Sequence, residues 1–262
     1  MNDDDLTLFA ADGVDLPLGG AEHVVENDGA LLWVASYGEG PAVILLHGGM
    51  GHSGNFGKQV GAIASAGYRV VVADTRGHGR STRDRRPFSY ALLASDLKSI
   101  MDALQIEQAS IVGWSDGACT GLLLAMSDPA RVAGLYFFAC NVDPSGTREL
   151  EFTPMLGRCI GRHTEDYERL SPVGDFDQLA DDLQVMQSAQ PNLSQQQLAT
   201  VGVPVTVALG EHDEFIKRSH AEYLARSIPG ARFELLPGVS HFAPIQQPEP
   251  FTDSVLRFLT RE

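Results

Sequence analysis

The chain has 262 residues, of which 44% are hydrophobic and 20% are charged, and its formal net charge at pH 7 is −15. This length and composition suit one large α/β domain, or a core domain with an insertion. The strong acidity excludes the basic surface that nucleic-acid binding needs and disfavours adsorption to anionic lipid. Three cysteines, an odd number, do not indicate a disulfide framework, and no Cys/His spacing indicates a metal site.

The N-terminus predicts an intracellular protein. Residues 1–5 are acidic where a signal peptide would be basic, and the longest apolar run, residues 132–140, is too short to span a bilayer. We therefore expect a soluble cytoplasmic protein, a monomer or a small homo-oligomer. We also expect residues 1–15 to be loosely held.

Predicted strands and helices alternate through the first half of the chain. Residues 21–26 and 30–37 are expected to form two strands joined at Asn27-Asp28-Gly29, which is a hairpin signal. The same alternation continues along the chain. Buried strands are predicted at 42–46, at 68–73, in the apolar run that ends before Ser115, and at 132–139. Helices are predicted between them at 59–66, 90–104 and 119–126.

Residues 141–200 break this alternation because they are polar and contain no strong strand pattern. A segment of this length inside a domain is usually a lid or an insertion, so we predict a helical cap, with a solvated helical decoration unconnected with substrate as the alternative. Its helices are predicted near 148–160, 176–186 and 194–200.

After the predicted cap, strands are predicted at 203–209 and 232–236, with helices at 219–228 and 249–259. The whole pattern predicts an α/β fold with a mostly parallel eight-stranded sheet and helices on both faces. The core would comprise residues 1–140 and 201–262, with the cap at 141–200. The glycine-rich loops all fall at the C-terminal edge of this sheet, where such sheets bind ligands.

The stretch Gly113-Trp114-Ser115-Asp116-Gly117 lies between a predicted strand and a predicted helix. A serine at such a sharp turn can project its hydroxyl above the C-terminal edge of the sheet. The flanking glycines suit a strained turn at which the strand and the helix approach closely. Because the pattern also arises by chance, its interpretation depends on the residues that accompany it.

A serine hydroxyl needs a base that accepts its proton and a carboxylate that orients the base. His241 and Asp213 both follow late predicted strands, so they fall at the same sheet edge as Ser115. The chain order Ser, Asp, His is the one expected on this type of sheet. The sequence also offers alternatives near this edge, namely Glu211, Glu214 and Asp143 for the acid and His212 and His220 for the base.

Taken together, these residues and the glycine-rich loops make the chain resemble the α/β-hydrolases over residues 20–260. The motifs that carry the resemblance are His47-Gly48-Gly49, Asp74-x-Arg76-Gly77-x-Gly79-x-Ser81, Gly113-x-Ser115-x-Gly117, Gly210-x-x-Asp213 and Gly238-x-x-His241-Phe242. The resemblance implies that Ser115 is the nucleophile, His241 the base and Asp213 the acid. It also implies that residues 141–200 are the family's cap, inserted after the sixth strand.

Ester hydrolysis passes through a tetrahedral oxyanion, which backbone N–H groups stabilise. One donor is expected to be the N–H of Asp116, directly after the nucleophile and at a helix N-terminus. The resemblance points to Gly49 or Met50 for the second donor, and the sequence does not choose between them. His47, His78, Asp74 and Arg76 are expected to hold their loops rather than to take part in the reaction.

Asp116 beside the nucleophile has two interpretations. A carboxylate is favourable at a helix N-terminus, and it can also pair with an ammonium group of the substrate. The stretch around Ser115 is similar to that of the valacyclovirase-like branch of the family, whose members cleave amino-acid esters and hold the amino group with this aspartate. Trp114 is expected to be a core aromatic residue, with substrate contact as the alternative.

The sequence therefore predicts a cofactor-free serine hydrolase that acts on a small carboxylic ester, thioester, amide or lactone. A cofactor-free haloperoxidase or perhydrolase with the same triad is an alternative, and so is a ligand receptor with slow turnover. Haloalkane dehalogenases and epoxide hydrolases are disfavoured because they carry an aspartate where this chain has Ser115.

Overall fold

A computed structural model describes residues 2–261. Over this part of the chain, one eight-stranded sheet has the strand order β1-β2-β4-β3-β5-β6-β7-β8. The strands are β1 (Ala21–Asn27), β2 (Ala30–Tyr37), β3 (Ala42–Leu46), β4 (Arg69–Ala73), β5 (Ala109–Trp114), β6 (Val132–Phe138), β7 (Val205–Gly210) and β8 (Arg232–Leu236). The predicted mostly parallel sheet is confirmed, because β2 alone runs antiparallel to its neighbours, β1 and β4, and the other strand pairs of the described chain are parallel.

Ten α-helices connect and cover these strands within the described residues. They are α1 (Asp4–Asp12), α2 (Gly57–Ser65), α3 (Tyr90–Ala103), α4 (Asp116–Ser127), α5 (Pro154–Leu170), α6 (Phe176–Ala189), α7 (Gln195–Leu198), α8 (Arg218–Ser227), α9 (Ala243–Gln246) and α10 (Pro248–Thr260). None of the helices in residues 2–261 is long and apolar enough to cross a membrane.

The central strands are buried on both faces, as their sequences require. Val43, Ile44 and Leu45 of β3 have no solvent-exposed surface, and β5, on one side of β3, is equally apolar. Strands covered on both faces have continuous apolar runs rather than alternation. Because β3, β5, β7 and β8 run parallel to one another, their C-terminal ends lie at one edge of the sheet. The loops that follow these strands are brought together there.

For residues 2–15 the expectation of a loosely held segment is wrong, and residue 1 lies outside the described residues. Residues 4–12 form α1, which packs against α5 and buries the side chains of Leu6 and Phe9. Gln246 Nε2 also donates to Asp3 Oδ1 at 2.6 Å. Leu6 and Phe9 are three residues apart, so a helix places them on one face. The prediction gave more weight to the acidic composition of the segment than to this spacing.

The segment between β6 and β7 contains α5, α6 and α7, and we call residues 141–200 the insert. The prediction of a helix near 148–160 is wrong in its bounds, because α5 begins at Pro154 and continues to Leu170. Thr153 accepts a hydrogen bond from the Leu156 N–H and so caps the helix. Proline suits the first helical position and disrupts an interior one, which explains the later start.

Candidate active site

Ser115 occupies the turn between β5 and α4 in a strained conformation, with φ 53° and ψ −120°. A non-glycine residue in this region is uncommon and must be held by its surroundings. Its N–H donates to the Phe138 carbonyl at 2.8 Å, and its carbonyl accepts the Ala118 N–H at 2.8 Å. A Cβ at Gly117 would overlap the carbonyl oxygen of Leu46, so the helix can approach β3 only with glycine there.

The structure brings His241 and Asp213 together. His241 Nδ1 lies 2.9 Å from Asp213 Oδ2. The other oxygen, Asp213 Oδ1, accepts the backbone N–H groups of Phe215 at 2.9 Å and Ile216 at 2.7 Å. Asp213 is buried, so its carboxylate is fixed by three donors with little competition from water.

The surroundings of His241 favour its protonated form. Burial lowers the pKa of His241, but the charge of Asp213 and its hydrogen bond outweigh this effect, and Glu214 and Asp116 add to it. The net result is a pKa of His241 above its ordinary value of 6.5. The imidazole is therefore a stronger base than a free histidine and is oriented by Asp213 through Nδ1.

The other candidate acids lie elsewhere around the same edge. Glu214 Oε2 accepts the backbone N–H of His241 at 3.0 Å instead of contacting its ring. Glu211 is half exposed and accepts the Gly238 N–H at 2.9 Å. Asp143 accepts the Ser145 N–H at 2.8 Å at the start of a short 3-10 turn.

The alternative histidines have different partners. His212 is half exposed and lies 3.7 Å from Glu211. His220 Nε2 accepts the Val142 N–H at 3.0 Å, which ties α8 to the start of the insert. Among the candidate bases in the described chain, His241 is the histidine that shares a cavity with Ser115.

The loop after β3 brings its glycines against the turn that carries Ser115. A Cβ at Gly48 would lie 3.1 Å from Ser115 Cβ, and one at Gly49 would lie 2.6 Å from Asp116 Oδ2. Gly51 N–H closes a turn on the Gly48 carbonyl at 3.2 Å, and Met50 within it has φ 65°. A positive φ at the third position is typical of a type II turn. Both Gly49 and Met50 line the cavity beside Ser115.

The residues expected to hold these loops make contacts of that kind. His47 contacts the Gly48 carbonyl through Nδ1 at 2.7 Å and accepts the Thr75 N–H through Nε2 at 3.1 Å. His78 Nδ1 lies 2.9 Å from the Arg76 carbonyl. Asp74 accepts the N–H groups of Ser53 and Arg80, both at 2.8 Å, and the buried Arg76 pairs with Asp96 at 2.6 Å.

Asp116 is buried, and its carboxylate joins the core to the insert. Tyr90 on α3 donates to Oδ1 at 2.7 Å, and Gln187 on α6 donates to Oδ2 at 2.8 Å. Burial raises the pKa of Asp116, while these two hydrogen bonds and the positive charge of His241 act in the opposite direction. Sequence analysis missed Tyr90 and Gln187, since nothing in their local spacing distinguishes them from ordinary helix residues.

Ser115, Asp116 and His241 line a single cavity of about 400 Å³. Most of its wall is apolar and comes from both the core and the insert, which contributes Leu150, Leu156 and Ile160. No lysine or arginine among residues 2–261 lines it. The described side chains also form no cluster of three or more His, Cys, Asp or Glu residues able to hold a metal ion.

Trp114 is both a core residue and a wall of the cavity. It is buried, and its ring packs edge-on against Phe56 and Phe242 with centroid distances of 6.3 and 5.8 Å. Its ring centroid lies 6.0 Å from that of His241. Trp114 therefore presents one part of its ring to the cavity, while the residue as a whole is buried in the core.

Comparison with known proteins agrees with this architecture. The alpha/beta hydrolase fold family matches residues 41–156. The enol-lactonase of Burkholderia xenovorans superposes with a TM-score of 0.75 at 23% identity, covering 92% of this chain and 100% of the lactonase chain. At this level of identity the structural likeness shows the fold.

Sequence relatives cover most of this chain. The mouse serine hydrolase BPHL is 28% identical over 247 residues, which cover 90% of this chain and 85% of BPHL. A putative carbamate hydrolase RutD of a Caulobacter species is 29% identical over 254 residues, covering 85% of this chain and 94% of RutD. These similarities extend across the insert as well as the core.

Proposed function

We propose that this chain, which has the α/β-hydrolase fold, is a serine hydrolase of that fold family that cleaves small carboxylic esters, thioesters, amides or lactones through an acyl-enzyme on Ser115. The observation that carries the proposal is the contact of 2.9 Å between His241 and Asp213 beside the cavity that Ser115 lines. A buried, oriented imidazole that lines the same cavity as a strained serine fits the arrangement that activates a hydroxyl nucleophile.

In the proposed reaction, Ser115 Oγ attacks the carbonyl carbon of the substrate, and His241 Nε2 accepts the hydroxyl proton. Asp213 holds the imidazole in the tautomer that leaves Nε2 free and stabilises the imidazolium that forms. The imidazolium then donates its proton to the leaving alcohol, thiol or amine. Water attacks the acyl-enzyme with His241 again as the base, and the acid is released.

The tetrahedral oxyanion is proposed to bind backbone N–H groups. Asp116 begins α4, so its N–H belongs to the unpaired first turn of the helix, where the dipole also favours negative charge. The second donor is proposed to be Gly49 or Met50, whose loop lies against Ser115 and Asp116. Each such donor contributes about 3–4 kcal/mol to transition-state stabilisation in related chemistry.

The cavity supports a choice of substrate. It is apolar, it holds about 400 Å³, and Asp116 is the one acidic side chain along its wall in the described structure. An anionic acyl group would meet repulsion and find no cation, whereas a neutral group fits the apolar wall. An α-amino group could pair with Asp116, so we extend the proposal to neutral and amino-bearing acyl groups.

We also propose that residues 141–200 act as the cap of this site. Side chains of α5 and α6 line the cavity, and Gln187 reaches the residue after the nucleophile. Arg83 and Asp182 add an ion pair of 2.6 Å between the core and α6. These contacts support a contribution of the insert to the choice of acyl group.

Labelling with a fluorophosphonate probe tests the mechanism. Wild-type protein should label at Ser115, Ser115→Ala should not label, and His241→Ala should label at least about 10²-fold more slowly because the base is lost. His212→Ala is the matched control, since His212 is half exposed and pairs with Glu211. Equal labelling of all four proteins would refute the assignment.

A further inference from the structure

Two thiols outside the proposed triad lie in contact beneath the turn between β5 and α4 that carries Ser115, which we call the nucleophile turn after the proposed role of Ser115. Cys119 Sγ and Cys140 Sγ are 3.0 Å apart. Cys119 belongs to α4, one turn after Ser115, and Cys140 follows the end of β6. Both are buried and neither forms a disulfide.

The backbone around the two thiols is held by the nucleophile turn itself. The Cys119 N–H donates to the Ser115 carbonyl at 3.3 Å, and the Ser115 N–H donates to the carbonyl of Phe138, two residues before Cys140. Cys119 Sγ also lies 3.2 Å from the Asn141 carbonyl oxygen. The sulfur pair therefore spans the two chain segments that position Ser115.

The two sulfurs differ in their access to the cavity. Cys140 lines it and is 4% exposed, whereas Cys119 is completely buried. A small oxidant that enters the cavity can thus reach Cys140, and Cys119 lies directly behind it. Cys159 is a buried thiol on α5 and provides an internal control.

We propose that Cys119 and Cys140 are a reversible oxidation site, at which hydrogen peroxide or a similarly small peroxide converts the two thiols into a disulfide. The Cys140 sulfur attacks one peroxide oxygen, the O–O bond breaks, and water leaves to give a sulfenic acid. The Cys119 sulfur then attacks the sulfenic sulfur, the S–O bond breaks, and a second water leaves with the remaining thiol proton. In total, two thiols and one peroxide give one disulfide and two waters.

Closing the bond brings the sulfurs from 3.0 Å to about 2.05 Å. The movement of about 1 Å is imposed on α4 and the end of β6, and displacements of that size near reacting groups can lower rates by up to about 10²-fold. Oxidation should therefore lower hydrolysis. Burial raises the pKa of the Cys119 thiol, so the closing step should accelerate as pH rises.

The test treats the folded protein with hydrogen peroxide at pH 8 and measures the intact mass, then alkylates the free thiols after denaturation and measures peptide masses. Before alkylation we expect a loss of 2 Da, and after it a disulfide-linked pair of peptides that contain Cys119 and Cys140, with Cys159 alkylated. Dithiothreitol should reverse both. Cys119→Ala and Cys140→Ala should not form the disulfide, and Cys159→Ala should form it as wild type does.

The activity arm follows hydrolysis of an ester during the same oxidation. The rate should fall about tenfold or more in step with the disulfide and recover with dithiothreitol, since the nucleophile turn returns to its reduced geometry. Stable sulfenic or sulfinic acid at Cys140 without the cross-link would overturn the proposed site, and a cross-link that leaves the rate unchanged would overturn its effect on hydrolysis. Because the mass arm needs no turnover, it decides whether the site exists even if Ser115 proves not to be a nucleophile.

Discussion

The protonation state of His241 depends on the carboxylates that surround it. Asp213 contacts the ring, while Glu214 bonds the backbone N–H and Asp116 acts through its charge. In the proposed mechanism His241 must be neutral to accept the Ser115 proton, so the activity should fall as pH decreases through the pKa of His241. Since that pKa is raised, the acidic limb of kcat/KM should lie above pH 6.5.

Glu214→Gln should move this limb to lower pH. The amide keeps an acceptor for the His241 N–H but removes one of the negative charges that raise the pKa of His241. The high-pH plateau should stay within about threefold of wild type, since no reacting group changes. The measurement is a pH profile of kcat/KM, with Glu211→Gln as the control because Glu211 bonds Gly238 instead. A limb that does not move would contradict this account.

Asp116→Ala should separate the two roles of this carboxylate. If it pairs with an amino group, kcat/KM for an α-amino ester should fall by about 10²-fold, as expected for a buried charge pair, and that for a neutral ester of the same alcohol by much less. Gln187→Ala is the control that leaves the carboxylate in place while removing one of its donors. Equal losses on both esters after Asp116→Ala would assign the residue to the fold alone.

At the scale of elements, the nucleophile turn depends on the close approach of α4 to β3. Gly117→Ala should destabilise the protein by about 1–3 kcal/mol through overpacking, because the new Cβ meets the backbone of Leu46. Gly61→Ala on α2 is the matched control, since a Cβ there meets nothing within 4 Å. That variant should be neutral or more stable by about 0.5–1 kcal/mol. Urea unfolding of both variants measures the difference in their free energies of unfolding. Equal stabilities would contradict the predicted overlap at position 117.

At the scale of the whole molecule, α1 connects the N-terminus to the insert. The Phe9 ring lies 5.4 Å from that of His163 on α5, and His163 lines the cavity. Three residues further along α5, Asp166 Oδ2 lies 3.4 Å from His52 Nε2 in the loop after β3. The position of α5 above the site thus depends on two segments from the N-terminal part of the core.

Phe9→Ala should therefore affect both stability and substrate binding. Removing a buried phenylalanine costs about 3–5 kcal/mol when the site cannot collapse, and KM should rise because α5 loses support next to the cavity. Leu8→Ala is the neighbouring control, since Leu8 is 60% exposed, and it should change stability by less than about 0.5 kcal/mol. The measurements are urea unfolding and steady-state kinetics. A Phe9→Ala variant as stable as Leu8→Ala would show that α1 does not hold α5.

The sequence predicted the parallel sheet because buried strands and their glycine-rich loops are local signals that the structure does not override. All eight strands were found, with β2, β3 and β8 at the predicted bounds. The candidate base and acid could also be chosen from the sequence, because strand ends of a parallel sheet share one edge. The bounds of α5 were missed although Pro154 carried a usable signal, and α1 was missed because its acidic residues dominate its composition.

The amino-acid sequence by itself determined the sheet, the chain order of Ser115, Asp213 and His241, and the place of the insert, since these follow from periodicity and position along the chain. Only the tertiary structure decided which side chains from different segments of the chain come into contact. The bond from Gln187 to Asp116 and the contact between Cys119 and Cys140 join residues 71 and 21 positions apart. No local pattern encodes such distances, because they depend on how the insert and α4 pack against the sheet.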